Sequence, residues 1–168
     1  ITRSIPSAET LRRRMDDIGS SLRKNILDAN VEMFHTYNIE PTPISEEFVP
    51  VDLDVTPMDN SKTHKEGVSY TYKGFFGYAP MMAYIGAEGF LVNTELREGS
   101  QHCQCNTPAF LSETLNYRHQ LTKKQLLVRM DSGNDAAENL GILIEDGSWF
   151  IVKRNLRRGE SCCGQAFL

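Results

Sequence analysis

The stretch FVPVDLDVTPMDN (48–60) decides the architecture. In it Val49, Val51, Leu53 and Val55 alternate with Pro50, Asp52, Asp54 and Thr56. Successive side chains of an extended chain point to opposite faces, so the segment predicts a strand with one apolar face and one face carrying two carboxylates. Pro57 has no N–H to give a neighbouring strand and ends the ladder.

C-terminal to this strand, SKTHKEG (61–67) reads as a polar loop. SYTYKGFFGYAPMMAYI (69–85) and GFLVNTELR (89–97) read as two more strands joined through Gly86-Ala87-Glu88-Gly89, which predicts three successive antiparallel strands. From Thr107 the period becomes helical, with Pro108 in the first turn and Phe110, Leu111, Leu115 and Leu121 on the apolar side. QLLVRM (125–130) has strand length and delivers Asp131 at its carboxyl end. DSGND (131–135) is a turn by composition, AAENLGILIE (136–145) a short helix with Asp135 placed to cap it, and SWFIVKR (148–154) a last strand.

N-terminal to it, PSAETLRRRMDDIGSSLRKNIL (6–27) carries apolar residues at 11, 15, 18, 22 and 26, the stripe of a helix that starts near Pro6 and Ser7. Gly19-Ser20-Ser21 marks a candidate break, and Val31, Phe34 and Tyr37 continue or restart the helix. EPTPISEE (40–47) reads as a linker. The expected division is a helical lead-in with linker over 1–47 and an α/β unit over 48–168.

The 168 residues suit one domain, and 40% hydrophobic content excludes disorder along the whole length. The longest apolar candidate, APMMAYIGAEGF (79–90), is interrupted at Gly86, Glu88 and Gly89, so no bilayer helix and no membrane partner is expected. The chain begins at Ile1 without a methionine or an apolar leader, which reads as a piece of a longer or processed protein. Its net charge of −4 is segregated: residues 25–61 hold eight acids and no Lys or Arg. A sequence pI near 5.6 argues against a dedicated nucleic-acid-binding module but not against an enzyme that holds a cation between itself and a phosphodiester. Cys103 and Cys105 beside His102, with Cys162-Cys163, lack the usual zinc spacing and read as reduced thiols. No Walker A loop and no G-x-S-x-G elbow is present.

One pattern carries chemistry. Ligands in open α/β sheets collect outside the carboxyl ends of strands, which would make Asp54 and Asp131 neighbours. Two close carboxylates suit a shared Mg²⁺ or Mn²⁺, and a divalent ion there would serve in-line phosphoryl transfer. The competing reading makes each Asp a turn-former or cap. Asp52 shares the face of Asp54 and is a further candidate ligand, while Asp59 and Asp135 sit in turns. Lys73 and the rings of Tyr70, Tyr72, Phe75, Phe76 and Tyr78 could line a nucleic-acid path, but strand residues packing a core are the favoured reading. Lys153, Arg154, Arg157 and Arg158 are candidate phosphate contacts or a solvated face. His64 and His102 read as surface residues.

Residues 49–102, which include the Asp-x-Asp-x-Thr strand, YKGFFGYAP and LREGSQH, followed by LLVRMDSGNDAAEN (126–139), resemble the catalytic region of bacterial insertion-sequence transposases of the DDE class. The resemblance extends from about Thr10 to Arg158. It implies an RNase H-like mixed sheet with antiparallel first three strands and flanking helices, of which 48–168 would be a partial catalytic domain. It further implies metal-dependent hydrolysis and strand transfer at element ends, DNA ends and target DNA as partners, a candidate homodimer, and residence in the bacterial cytoplasm. Asp54 would be the first catalytic aspartate, with Asp52 its rival, and Asp131 the second.

The family's third acid is a Glu in a Tyr-x-x-Arg-x-x-x-Glu setting. None of the six tyrosines here has Arg three residues on, and Glu138, Glu145 and Glu160 do not match. The third ligand is therefore expected outside this polypeptide, leaving the chain inactive alone. The alternatives are an inactive remnant that binds DNA or dimerises, and an unrelated metal-dependent nuclease.

Overall fold

The computed structural model describes residues 5–154. The decisive stretch forms β1 (Phe48–Val55) at the centre of a five-stranded sheet. β5 (Met81–Ile85) and β6 (Phe90–Glu95) continue the sheet on one side, each antiparallel to its neighbour. β7 (Gln125–Met130) and β8 (Trp149–Val152) extend it on the other side, both parallel to β1. The order β6-β5-β1-β7-β8, with three antiparallel strands followed by two parallel ones, is the RNase H-like mixed sheet.

The alternation in β1 has the expected effect. Val49, Val51 and Leu53 are buried and meet Leu126, Val128 and Met130 of β7 and Met81, Ala83 and Ile85 of β5. Against this face lie α1 (Ala8–Thr36), α2 (Thr107–Leu121) and α3 (Ala137–Asp146), through Leu27, Val31, Phe110, Leu111, Leu115 and Leu143. Each fully buried aliphatic side chain of this kind contributes about 1.5–3 kcal/mol. The opposite face carries Asp52, Arg129, Trp149 and Ile151 and, among the described residues, no helix covers it: Trp149 and Ile151 are each 58% exposed.

Four expectations are corrected. The run 69–85 is not one strand. It divides into β3 (Ser69–Tyr70), β4 (Phe76–Tyr78) and β5, and β2 (Met58–Asp59), β4 and β3 make a separate antiparallel sheet. Gly74, at φ +89°, turns the chain between β3 and β4, and Pro80 falls where β4 gives way to β5. The aromatic rings of this small sheet are not core either: Tyr70, Tyr72 and Phe76 are all more than half exposed. Gly19 does not break α1, and Asp135 does not cap α3, whose N-cap is Ala136.

The helix expected as a lead-in is packed only along its C-terminal half. Leu27, Val31 and Phe34 enter the core, while Leu11, Met15 and Ile18 remain about half exposed. A polar staple fixes the packed half: Arg23 donates to Asn93 Oδ1 at 2.7 Å, to the Thr94 carbonyl and to Glu113 of α2. Among the described residues no helix is long and apolar enough to cross a membrane.

Candidate active site at the carboxyl edge of the sheet

β1 and β7 run parallel with Leu53 in register with Met130. Asp54 and Asp131 are the next residues, so they follow the last registered pair at the same edge of the sheet on adjacent strands. β8 extends the row, since Met130 registers with Val152 and the Lys153 N–H donates to the Met130 carbonyl at 3.2 Å. Asp54, Asp131 and Lys153 therefore stand side by side, and all three are exposed.

The two aspartates are held differently. Asp54 makes no side-chain hydrogen bond or ion pair to the described residues. Asp131 caps a 3₁₀ turn (Ser132–Asn134), and its Oδ1 accepts from the Gly133 N–H at 3.0 Å and from Asn134 Nδ2 at 2.9 Å. Asn134 is fully buried, and its carbonyl accepts from Asn139 Nδ2 at 3.0 Å. Asn139 Nδ2 also reaches Gln104 Oε1 at 3.1 Å, and Gln104 Nε2 closes the circuit on the Gly133 carbonyl. Sequence reasoning missed Gln104, Asn134 and Asn139, because neutral amides leave no charge or hydropathy signature.

The LREGSQH segment supports this circuit from behind. Arg97 is 3% exposed, donates to Glu95 Oε2 at 2.8 Å and to the Cys103 carbonyl at 3.0 Å, and lies over the Phe110 ring. Its Nη2 lies 2.7 Å from Glu95 Oε2 but outside hydrogen-bonding alignment. A methyl group on Gly99 would overlap the carbonyls of Ser69 and Gly77, so the loop can dock on the small sheet only through backbone. The Cys103 thiol donates to the Gly133 carbonyl at 3.0 Å, and burial together with the charge of Asp131 pushes it up from its ordinary value, which keeps it a thiol.

A cleft of about 820 Å³ opens between the small sheet, the loop at Gly99–Cys103 and Asp131. Tyr72 stands at its rim, where partial desolvation and the carboxylates of Asp54 and Asp131 push its phenol up, so the ring lies within electrostatic reach of both acids. Lys73 sits 5.3 Å over the Tyr72 ring and is exposed.

Asp52 has a different partner from the one expected. It is paired across the strands with Arg129, which donates Nε to Oδ1 at 2.6 Å and Nη2 to Oδ2 at 2.5 Å. Its carboxylate is thus neutralised by a guanidinium, while Asp54 on the same strand face is not. Arg154 is exposed just past β8. Arg157, Arg158, Glu160, Cys162 and Cys163 lie outside the described residues. Glu138 opens α3 and Glu145 is exposed near its end. Among the described residues no three His, Cys, Asp or Glu side chains gather closely enough to hold a metal ion. Asp54 and Asp131 nonetheless supply hard carboxylate oxygens at one edge, the donor chemistry that suits Mg²⁺ or Mn²⁺, and so fit part of a ligand set.

A mixed sheet of this order, with aspartates ending its central strand and the parallel neighbour, places the chain in the RNase H-like class. The family described as Transposase DDE domain group 1 matches residues 2–156, and the chain belongs to that transposase family. Its function class is that of a transposase catalytic domain, a family that generally uses divalent metal ions. No curated protein matches. Among solved structures the chain is similar to a piggyBac transposase in a cryo-EM synaptic complex with hairpin DNA, at 11% identity and a TM-score of 0.38. That likeness covers 87% of this chain and 32% of the other, so the chain spans about a third of that protein's length.

Proposed function

We propose that this chain carries part of an insertion-sequence transposase core that hydrolyses and transfers phosphodiesters at element ends through Asp54 and Asp131. The observation that supports the reading is the register of β1 with β7, after which Asp54 and Asp131 are the next residues on adjacent strands at one exposed edge, within a family of DDE transposases. Asp54 and Asp131 would hold Mg²⁺ or Mn²⁺. Bound there, the ion supplies activation of the attacking oxygen and charge compensation on the leaving one. Asp52 is assigned to Arg129 rather than to the metal. Lys153 and Lys73 are proposed to bind DNA phosphates, with Arg154, Arg157 and Arg158 as further phosphate contacts. DNA ends and target DNA are the proposed partners, with a second copy of the chain alongside and the bacterial cytoplasm as the setting.

The absence of a third acid near the pair among the described residues favours a second reading, in which this chain alone binds DNA without cutting it. Mn²⁺-dependent plasmid nicking separates the two. It is to be measured with the chain as it stands and with its reading frame continued past Leu168. Under the first reading the longer product nicks DNA and loses that activity with Asp54→Ala or Asp131→Ala. Nicking indifferent to both substitutions rejects the site, and DNA retention without nicking by either protein supports the second reading.

A further inference from the structure

We propose that Asn134 is a positioning residue that fixes the Asp131 carboxylate, with Gln104 bracing it from the loop before α2; this rests on the reading of Asp131 as a metal-binding acid. Asn134 Nδ2 and the Gly133 N–H both donate to Oδ1 of Asp131, at 2.9 and 3.0 Å. Two donors on one oxygen set the rotation of the carboxylate and leave Oδ2, which has no partner among the described residues, uncommitted.

The amides are oriented for this task against their own hydrogen-bonding interest. Asn134 Oδ1 and Asn139 Oδ1 are both buried with no partner in the described residues. A buried polar atom without a partner is costly, and native structures contain few. Turning the Asn134 amide would aim its oxygen at a carboxylate, so donation to Asp131 dictates the orientation. Asn139 and Gln104 then hold Asn134 and Gly133 from behind, tying the first turn of α3 and a loop about 30 residues earlier in the chain to one carboxylate. Gly133 completes the fit, because a Cβ there would lie 2.8 Å from Cys103 Sγ and 3.1 Å from Asp131 Oδ1. A frame that served folding alone would pair its acceptors; this one leaves them bare and satisfies the acid.

The test is titration of the ¹⁵N-labelled chain with MnCl₂, following the paramagnetic broadening of amides at 53–55 and 130–133, with urea unfolding of each variant alongside. Asp54→Asn and Asp131→Asn are expected to abolish the local broadening. Asn134→Leu, matched in size but without a donor, is expected to weaken the apparent Mn²⁺ affinity about 10-fold. Leu143→Val, a core change in α3 that does not touch the frame, is expected to lower stability and leave Mn²⁺ affinity unchanged. Should Asn134→Leu not fold, Gln104→Met decides, with an expected loss of about 3-fold. Wild-type broadening in Asn134→Leu, or in Gln104→Met where that variant decides, overturns the positioning role while leaving Asp131 as a ligand. Unchanged broadening in Asp54→Asn and Asp131→Asn overturns the metal-site reading itself.

Discussion

At the N-terminal end of α3 the amides of Asn134 and Asn139 each keep a buried oxygen without a partner among the described residues, whereas at its C-terminal end Asp146 is surrounded by donors. Asp146 accepts from Arg118 Nη2 at 3.0 Å, from the His119 ring at 2.7 Å and from the Ser148 hydroxyl. Burial pushes the Asp146 carboxyl up, but Ser148, His119 and the Arg118 charge outweigh it and hold the group below its ordinary value. Among the buried side-chain atoms of the described residues, only Arg118 Nε lacks a partner there. The two ends of one helix thus show two uses of polarity. One cluster neutralises its charge and locks α2 to α3. The other holds a carboxylate in place and leaves one of its oxygens uncommitted.

The contrast is broken most directly at the closed end. Asp146→Asn removes the countercharge of Arg118, whose side chain is 8% exposed, and is expected to cost about 3 kcal/mol in urea unfolding. An unchanged midpoint would mean that the cluster is not structural. The pH profile of stability sharpens the same point. Because the folded-state pKa of Asp146 is lowered, its contribution is fully present above the unfolded carboxylate value near 4 and is lost as pH falls through the folded value. Wild-type protein should therefore lose stability below about pH 4, and Asp146→Asn should flatten that decline.

At the open end the expected effects on stability are smaller. Arg129→Ala removes an ion pair whose side chains are 46% and 40% exposed and should cost no more than about 1 kcal/mol. If instead it raises Mn²⁺ affinity at the site, the freed Asp52 is a competing ligand. Asp54→Asn should have the smallest effect, within about 0.5 kcal/mol of wild type, because the carboxylate it replaces has no partner among the described residues to lose. A large loss of stability in Asp54→Asn would show that Asp54 holds the fold rather than a ligand.

Much of the frame was legible because it follows from periodicity. The alternation in β1 gave its buried face, and QLLVRM set the end of β7 one residue before Asp131. The insertion of β2, β3 and β4 was not legible, since SYTYKGFFGYAPMMAYI has the composition of a continuous strand and the break depends on the backbone at Gly74 and on Pro80. The stripe at 11, 15 and 18 correctly indicated a helix but could not say what would cover it. Side-chain pairing was hidden for a different reason. Asp52 and Asp54 look equivalent in sequence, and only the register that sets Arg129 beside Asp52 separates them.

The uncovered face of the sheet has one practical consequence. Trp149, the single tryptophan of the chain, stands on that face edge-on to Phe48, with ring centroids 6.0 Å apart, two strands from Asp54. Its indole is a built-in fluorophore for whatever settles there: emission should shift to shorter wavelength when the face is shielded from water and stay put when only the distant helical layer is perturbed.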